Sequence, residues 1–294
     1  MARTVRFLKE SQKEFQKVFS GLCRTWSSWQ AWSDFVELSA ISISNALDHD
    51  SPDRMKREER YLQVFNSYPP SEQSIFSKLL YITAEALEAN PDQDFLGEMF
   101  MGMELSNHWK GQFFTPYNVC RMIGEMQLND AETLVEKRGW FGIQDPCCGA
   151  GALLIAARNV LSRAHIGHTC ALFVAQDIDY TAGLMCYIQL SLLGCAGYVV
   201  IADSILHPLT GPSSLLPIFQ PEHDVWFMPM FYDQTWQHRI LWAQMELLLG
   251  SLRKEPAEGG QDGPQAAQTP SPAPVPAAEE PPLVVGAGGQ LSLF

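Results

Sequence analysis

Basic residues are scarce in this chain. Its 20 Lys and Arg face 33 Asp and Glu, leaving a net charge of -13 over 294 residues. No Lys/Arg cluster stands out, so a broad nucleic-acid interface held by charge alone is excluded. No CxxC pair occurs, and the seven cysteines are odd in number. That excludes a disulfide framework or a zinc ribbon and predicts reduced thiols, as in a cytoplasm, with no metal site. Cys147 and Cys148 are adjacent and read as small residues filling a tight turn. No apolar run is long enough to span a membrane, and the opening MARTVRFLKESQKEF has no apolar signal core. A soluble, cytoplasmic protein with no membrane partner is expected. No internal repeat is evident.

What the chain does have is one stretch around which the rest is organised, Gly139 to Leu161, GWFGIQDPCCGAGALLIAARNVL. Phe141 and Ile143 alternate with Gly142 and Gln144 as in a short strand entering a core. Asp145 and Pro146 end it. Gly149 and Gly151 bracket a turn where the backbone bends sharply or lies against a ligand. From Ala152 the spacing becomes helical, with Leu153, Ile155, Ala156 and Val160 on one side. Strand, glycine loop and helix N-terminus together make a small-ligand cradle at the carboxyl end of a sheet.

Hydrophobic residues make up 46% of the chain, enough to fill a core. Residues 1–105 read as a helical domain. Phe15, Val18, Phe19, Leu22 and Trp26 recur at helical steps, the pattern continues from Phe35 to Leu47, and it resumes over Tyr61–Tyr68 and Gln73–Leu87 after a charged loop. The spacing of Trp26, Trp29 and Trp32 predicts core packing rather than a base-stacking surface. Residues 106–252 read as an α/β domain. Thr115 is a natural N-cap and Pro116 a natural first helical residue, with Val119, Met122, Ile123 and Met126 predicted to face inward. LFVAQDIDY is a second strand, TAGLMCYIQLSLLG an apolar helix ended by Gly194, and YVVIADS a third strand. HPLTGPSSLLPIFQPEH is a Pro-rich loop where a helix would be usual. DVWFMPMF is a fourth strand and its exit, and TWQHRILWAQMELLL a last helix with Ile240, Trp242, Met245 and Leu248 inward. Residues 253–294, rich in Pro, Ala, Gly, Gln and Glu, read as a disordered tail.

Three successive strands end in an acid: Asp145, Asp177 and Asp203. In a doubly wound sheet these ends converge on one crevice. Asp177 is placed to accept bonds from ribose hydroxyls, and Asp203 to meet a purine amino group. A carboxylate at Asp145 would repel a pyrophosphate but suits the ammonium and sulfonium of S-adenosylmethionine. Leu154 also stands where the third glycine of GxGxxG belongs. The residues therefore favour S-adenosylmethionine over NAD.

GQFFTP followed by DPCCGAGALLIA resembles the DNA adenine-N6 methyltransferases, in particular the methylation subunits of type I restriction–modification systems. DFLGEMF before it and AQDIDYTAGLMCYIQLSLLG after it are similar to the same family, over roughly Asp94 to Phe231. The resemblance implies a Rossmann-like S-adenosylmethionine-dependent methyltransferase sheet, shortened here, behind a helical N-terminal domain. It implies cofactor contacts at Phe113 and Thr115, at Asp145 with Pro146, at Gly149 and Gly151, and at Asp177 and Asp203. DNA is the implied substrate, bound weakly by so acidic a chain.

Two features depart from that family. Its catalytic signature, Asn-Pro-Pro-Phe or Asp-Pro-Pro-Phe after the fourth strand, is here Met228-Pro229-Met230-Phe231. The signature's amide and a backbone carbonyl accept the adenine amino N–H bonds, and its aromatic stacks on the flipped base. Pro229 keeps a carbonyl and Phe231 an aromatic ring, but Met228 has no comparable acceptor, and losing one positioned polar group costs about a hundredfold to a thousandfold in rate. The sheet is also short, so a partner subunit or a second copy is expected to complete it, or the chain is an accessory binding module that transfers nothing.

The chain closes on QLSLF, Gln290 to Phe294, similar to the short peptides by which bacterial replication and repair proteins dock on the β sliding clamp. Leu293 and Phe294 would fill an apolar pocket, Leu291 would support them, and the Gln290 amide would direct them. The tail before it would serve as a tether. A labelled peptide of the last residues is expected to bind purified clamp in a fluorescence titration, and one with Leu293 and Phe294 changed to Ala is expected not to. Equal binding by both, or none by either, removes the clamp.

Overall fold

The computed structural model describes residues 9–47, 51–105, 114–252 and 290–292, with 251–252 and 290–292 through their backbone alone. Five helices come first: α1 (Glu10–Phe19), α2 (Ser28–Leu47), α3 (Arg54–Ser67), α4 (Pro70–Ala89) and α5 (Phe95–Gly102). Phe15, Phe19, Leu22 and Trp32 are buried together, so the aromatic spacing is core packing, although Trp29 stays 40% exposed. Proline opens α4, where its missing N–H costs nothing. Asp94 caps α5, accepting from the Gly97 N–H at 2.9 Å.

The α/β part follows as α6 (Tyr117–Gln127), α7 (Ala131–Arg138), β1 (Phe141–Asp145), α8 (Ala152–Arg163), β2 (Ala171–Asp177), α9 (Tyr180–Leu192), β3 (Ala196–Ile201), β4 (Thr210–Ser213), β5 (Leu216–Ile218), β6 (Asp224–Phe227), α10 (Gln234–Leu252) and β7 (Gln290–Ser292). One sheet has the order β6-β3-β2-β1-β7; β4 and β5 form a separate hairpin within the Pro-rich stretch. Strands β1, β2 and β3 run parallel, as α8 and α9 are the crossovers between them. Side chains alternate along them. Phe173, Ala175, Val199 and Ile201 join the apolar cluster beneath α8, α9 and the N-terminal helices. Leu172, Val174, Tyr198 and Val200 join a smaller one beneath Trp236 and Phe231. Burial on both faces is why these strands read as nearly continuous apolar runs.

The structure adds one feature to these expectations and corrects two. First, β6 pairs antiparallel with β3, Tyr198 opposite Phe227 and Ile201 opposite Asp224. A parallel return needs a crossover of a dozen or more residues, usually a helix. Pro208, Pro212, Pro217 and Pro221 deny one to the connection, which folds a hairpin instead. Second, α6 buries Cys120 and Gly124 and half-buries Ile123, while Val119, Met122 and Met126 are exposed. Its small residues decide the packing: a Cβ at Gly124 would lie 3.5 Å from the Ala156 and Ala157 backbone. The helix begins at Tyr117, after Pro116, rather than at a Thr115 cap. Third, Trp242, Met245 and Leu248 of α10 are exposed, and only Trp236, Ile240 and Ala243 reach the sheet. Within the tail, Gln290, Leu291 and Ser292 pair in parallel with Gly142, Ile143 and Gln144 of β1. Leu293 and Phe294 lie outside the described residues.

One buried amide joins the helical layer to the sheet. Gln189 on α9 donates to Asp94 Oδ1 at 2.8 Å and to the Ala150 carbonyl at 2.9 Å, and accepts from the Leu96 N–H at 3.0 Å. Gln189→Leu strands the buried Leu96 N–H and the Ala150 carbonyl, at about 1–3 kcal/mol for each group, and takes one bond from Asp94, which keeps the Gly97 N–H. The variant is expected to be destabilised by roughly 3 kcal/mol or more in urea unfolding followed by circular dichroism, and a loss below 1 kcal/mol would contradict the role given to it.

Candidate functional site

The cradle is built from the carboxyl ends of β1 and β2. Asp145 closes β1 and is buried; its Oδ1 accepts from the Cys147 N–H at 3.0 Å, which turns the chain sharply through Pro146. The Cys148 N–H then reaches the Gln176 carbonyl, fastening the loop to β2. Gly149 takes a left-handed φ of 54°, and its N–H donates to Asp177 Oδ2 at 2.7 Å. The other Asp177 oxygen accepts from the Asp179 N–H at 2.9 Å. One carboxylate thus fixes the glycine loop and the entry to α9. Gly151 has φ 91°, and a Cβ there would sit 2.8 Å from Cys186 Sγ, so the start of α8 comes this close to α9 only with glycine.

A cavity of about 120 Å³ lies between this loop and the approach to α6. Asp145, Cys147, Gly149 and Leu153 line it from the loop side, and Phe114 and Thr115 from the other. Phe114 lies over Gly149, where an added Cβ would meet its ring at 3.1 Å. The structure therefore brings Thr115, Asp145, Gly149 and Asp177 together. Pro146 shapes the turn without lining the cavity, and Phe113 lies outside the described residues. Phe114, its neighbour in GQFFTP, is the aromatic that lines the cavity. Asp203 follows β3, and its Oδ1 accepts from the Ile205 and Leu206 N–H groups at 2.8 and 3.1 Å, bonds that hold its carboxyl below the usual range.

Met228, Pro229 and Phe231 are not at this site. Because β6 is antiparallel, its exit lies at the start of β3: the Met228 N–H bonds the Gly197 carbonyl at 2.9 Å. Met228 is wholly buried, and Phe231 packs among Phe227, Tyr198 and Trp236 in the smaller core. These are the residues expected as a degenerate catalytic turn. They sit at the opposite end of the sheet.

The electrostatics suit a cation. Burial, with Asp177 nearby, pushes the Asp145 carboxyl up from 3.8 to about 6. Asp177 is also raised, burial outweighing the N–H bonds it accepts. No ion pair to either is found among the described residues, so a ligand's ammonium or sulfonium would supply a missing countercharge. These residues fit S-adenosylmethionine. Asp145 and the loop would hold its charged end, and Asp177 keeps lone pairs for hydroxyl donors.

A family model described as N-6 DNA methylase matches residues 92–244, just over half of the chain. No curated protein matches significantly. A solved structure of a candidate class I S-adenosylmethionine-dependent methyltransferase from Listeria monocytogenes shares 13% identity, over 79% of this chain and 70% of its own, with a TM-score of 0.38. So slight a likeness carries no weight.

Asp145 makes a pH prediction. Its folded value near 6 exceeds the unfolded 3.8, so the folded state holds the extra proton between them. Stability from this group is full below 3.8 and lost as pH rises through about 6, a penalty of roughly 3 kcal/mol above that. Asp145→Asn should raise the Tm of the ligand-free protein at pH 8 and lower cofactor affinity at least tenfold. In the unmutated protein, affinity by calorimetry should fall as pH drops from 7 to 5. Affinity flat over that range, or a stable variant that binds cofactor normally, would contradict this.

Proposed function

This chain belongs to the N-6 DNA methylase family, and from that premise we propose that it is a cofactor-holding module of DNA adenine-N6 methylation. It binds S-adenosyl-L-methionine at Asp145, Gly149 and Asp177, with Phe114 and Thr115 closing the cleft. When bound, the cofactor supplies an electrophilic methyl group on a sulfonium. The chain orients that group and neutralises its charge in a site lined by buried carboxylates. The observation that carries this reading is the Asp177–Gly149 bond, which ties the glycine loop in a left-handed conformation that leaves the cleft open beside two carboxylates.

Transfer needs acceptors for the adenine amino group near the methyl donor. The antiparallel direction of β6 supports the accessory reading, as its exit turn is remote from the cleft. In this proposal a partner subunit or a second copy adds the catalytic loop beyond β1, as in a restriction–modification complex, and that partner supplies most of the DNA affinity that a net charge of -13 denies the chain. A cytoplasmic location accords with such a substrate. Docking on a sliding clamp through Gln290, Leu291, Leu293 and Phe294 is a separate proposal. It competes with the pairing of residues 290–292 on β1, so the clamp would have to strip that strand from the sheet.

Calorimetry on the purified chain should give saturable S-adenosylmethionine binding that Asp177→Ala weakens at least tenfold. With labelled cofactor and unmethylated DNA, the chain alone should transfer no label. Met228→Asn combined with Met230→Pro should not restore transfer, because that turn faces away from the cleft. No binding at millimolar cofactor by the folded protein would sink the cofactor reading, and abundant N6-methyladenine made by the chain alone would sink the accessory one.

A further inference from the structure

The cofactor cleft has a roof, and that roof is held from the side. At about 120 Å³ the cleft falls short of the roughly 300–1,000 Å³ of sites that enclose a whole drug-sized ligand. It can enclose only one end of S-adenosylmethionine, the amino-acid end set against Asp145 and the loop. Asp177 lies outside its lining, where the nucleoside end would rest. Phe114, Thr115, Cys120 and Ile123 wall the cleft on the side of α6, so the placing of that helix decides how closely the cleft shuts.

The start of α6 has no capping side chain, because Pro116 precedes it. Its position is fixed from two sides instead. Phe114 leans on Phe100 of α5, with ring centroids 5.5 Å apart. Beyond Thr115 and Pro116, the Tyr117 hydroxyl donates to Asp92 Oδ1 at 2.7 Å. Burial, and next the bond to Asp92, pushes that hydroxyl above its usual pKa, so it remains a donor well beyond neutral pH.

Asp92 is itself anchored. It sits between α4 and α5, where its N–H donates to Asn90 Oδ1 at 3.2 Å. Its second oxygen faces Arg121 of α6 at 3.4 Å and Arg163 of α8 at 3.6 Å. Both arginines are about half exposed and both pairs are long, so they contribute little. The short bond from phenol to carboxylate is the strong member. Asn159 of α8 donates to the Pro91 carbonyl at 2.8 Å and to the Tyr117 oxygen at 3.4 Å. As α8 starts from the glycine loop, roof and floor of the cleft are tied to one point. Neither Asp92 nor Tyr117 lines the cleft.

We propose that Asp92 and Tyr117 form a clasp that positions the roof over the amino-acid end of the cofactor. They are positioning residues, acting through Phe114 and Thr115 without touching the ligand. This inference rests on the cofactor reading above and adds to it the side chains that set how firmly the cleft closes.

The test uses the full chain and two ligands, S-adenosylhomocysteine and methylthioadenosine, which lacks the amino-acid end. In calorimetry, Tyr117→Phe and Asp92→Ala should each weaken S-adenosylhomocysteine by about fivefold or more. The double variant should bind about as well as either single one, because both remove the same bond. Asp92→Asn keeps an acceptor and should stay within about threefold of the unmutated chain. Methylthioadenosine should bind all of them alike, which a general loosening of the fold would not allow. In the ligand-free protein, hydrogen exchange at the amides of residues 119–124 should quicken about tenfold in Tyr117→Phe, with β1 and α9 unchanged. Equal binding of S-adenosylhomocysteine by Tyr117→Phe and the unmutated chain, both ligands weakened together, or unaltered exchange would overturn the clasp and leave the cofactor reading standing. No binding of S-adenosylhomocysteine by the folded, unmutated chain would sink the cofactor reading and this role for the clasp with it.

Discussion

The Gln189 amide is the constraint on which the arrangement turns. It is wholly buried on α9; its Nε2 reaches both Asp94 and Ala150, and its Oε1 accepts from the Leu96 N–H. Asp94 and Leu96 begin α5, and Ala150 lies inside the glycine loop. A buried amide left half-satisfied costs more than an apolar side chain would, so the three segments are held in one register or the core is penalised. Asp94 pays part of that cost, as burial lifts its carboxyl to about 6 even against the bonds from Gln189 and Gly97. The helical layer is therefore the support against which the loop is shaped, and one apolar cluster runs from Phe15 through to Met228.

Strand direction then decides what the sheet can do. Two crossover helices make β1, β2 and β3 parallel and bring Asp145 and Asp177 to one end. The next connection has prolines in place of a helix, so β6 returns antiparallel and delivers its exit turn to the other end. Cofactor cradle and exit turn are separated by the length of the strands. Beside β1, where a further parallel strand would extend the crevice, the described chain supplies only residues 290–292.

The cradle is legible in the sequence because each of its parts has a local cause. Gly149 and Gly151 mark positive φ, Asp145 and Asp177 follow apolar strands, and the helix after them has a clear 3.6-residue period. Helix faces are less legible. On α6 the large apolar residues predict the buried side, but a close approach to α8 is made by Cys120 and Gly124, which periodicity weighs too lightly. On α10 the apolar stripe reads as core, although the helix leaves the sheet after Ala243. Gln189 had a faint signal, a lone amide in an apolar helix, and Asp94 had the look of an N-cap; their meeting depends on tertiary packing. The direction of β6 follows from the Pro-rich connection before it, which offers no crossover helix.

The central claim is that the cofactor cleft and the Met228 turn occupy opposite ends of one sheet. A crystal structure of the full chain with S-adenosylhomocysteine tests it most directly. The account predicts the ligand against Asp145, Gly149 and Asp177, β6 antiparallel to β3, and Met228 buried at the far end. A ligand bound elsewhere, or a strand at 224–227 running parallel with Met228 turned toward the ligand's sulfur, would contradict it.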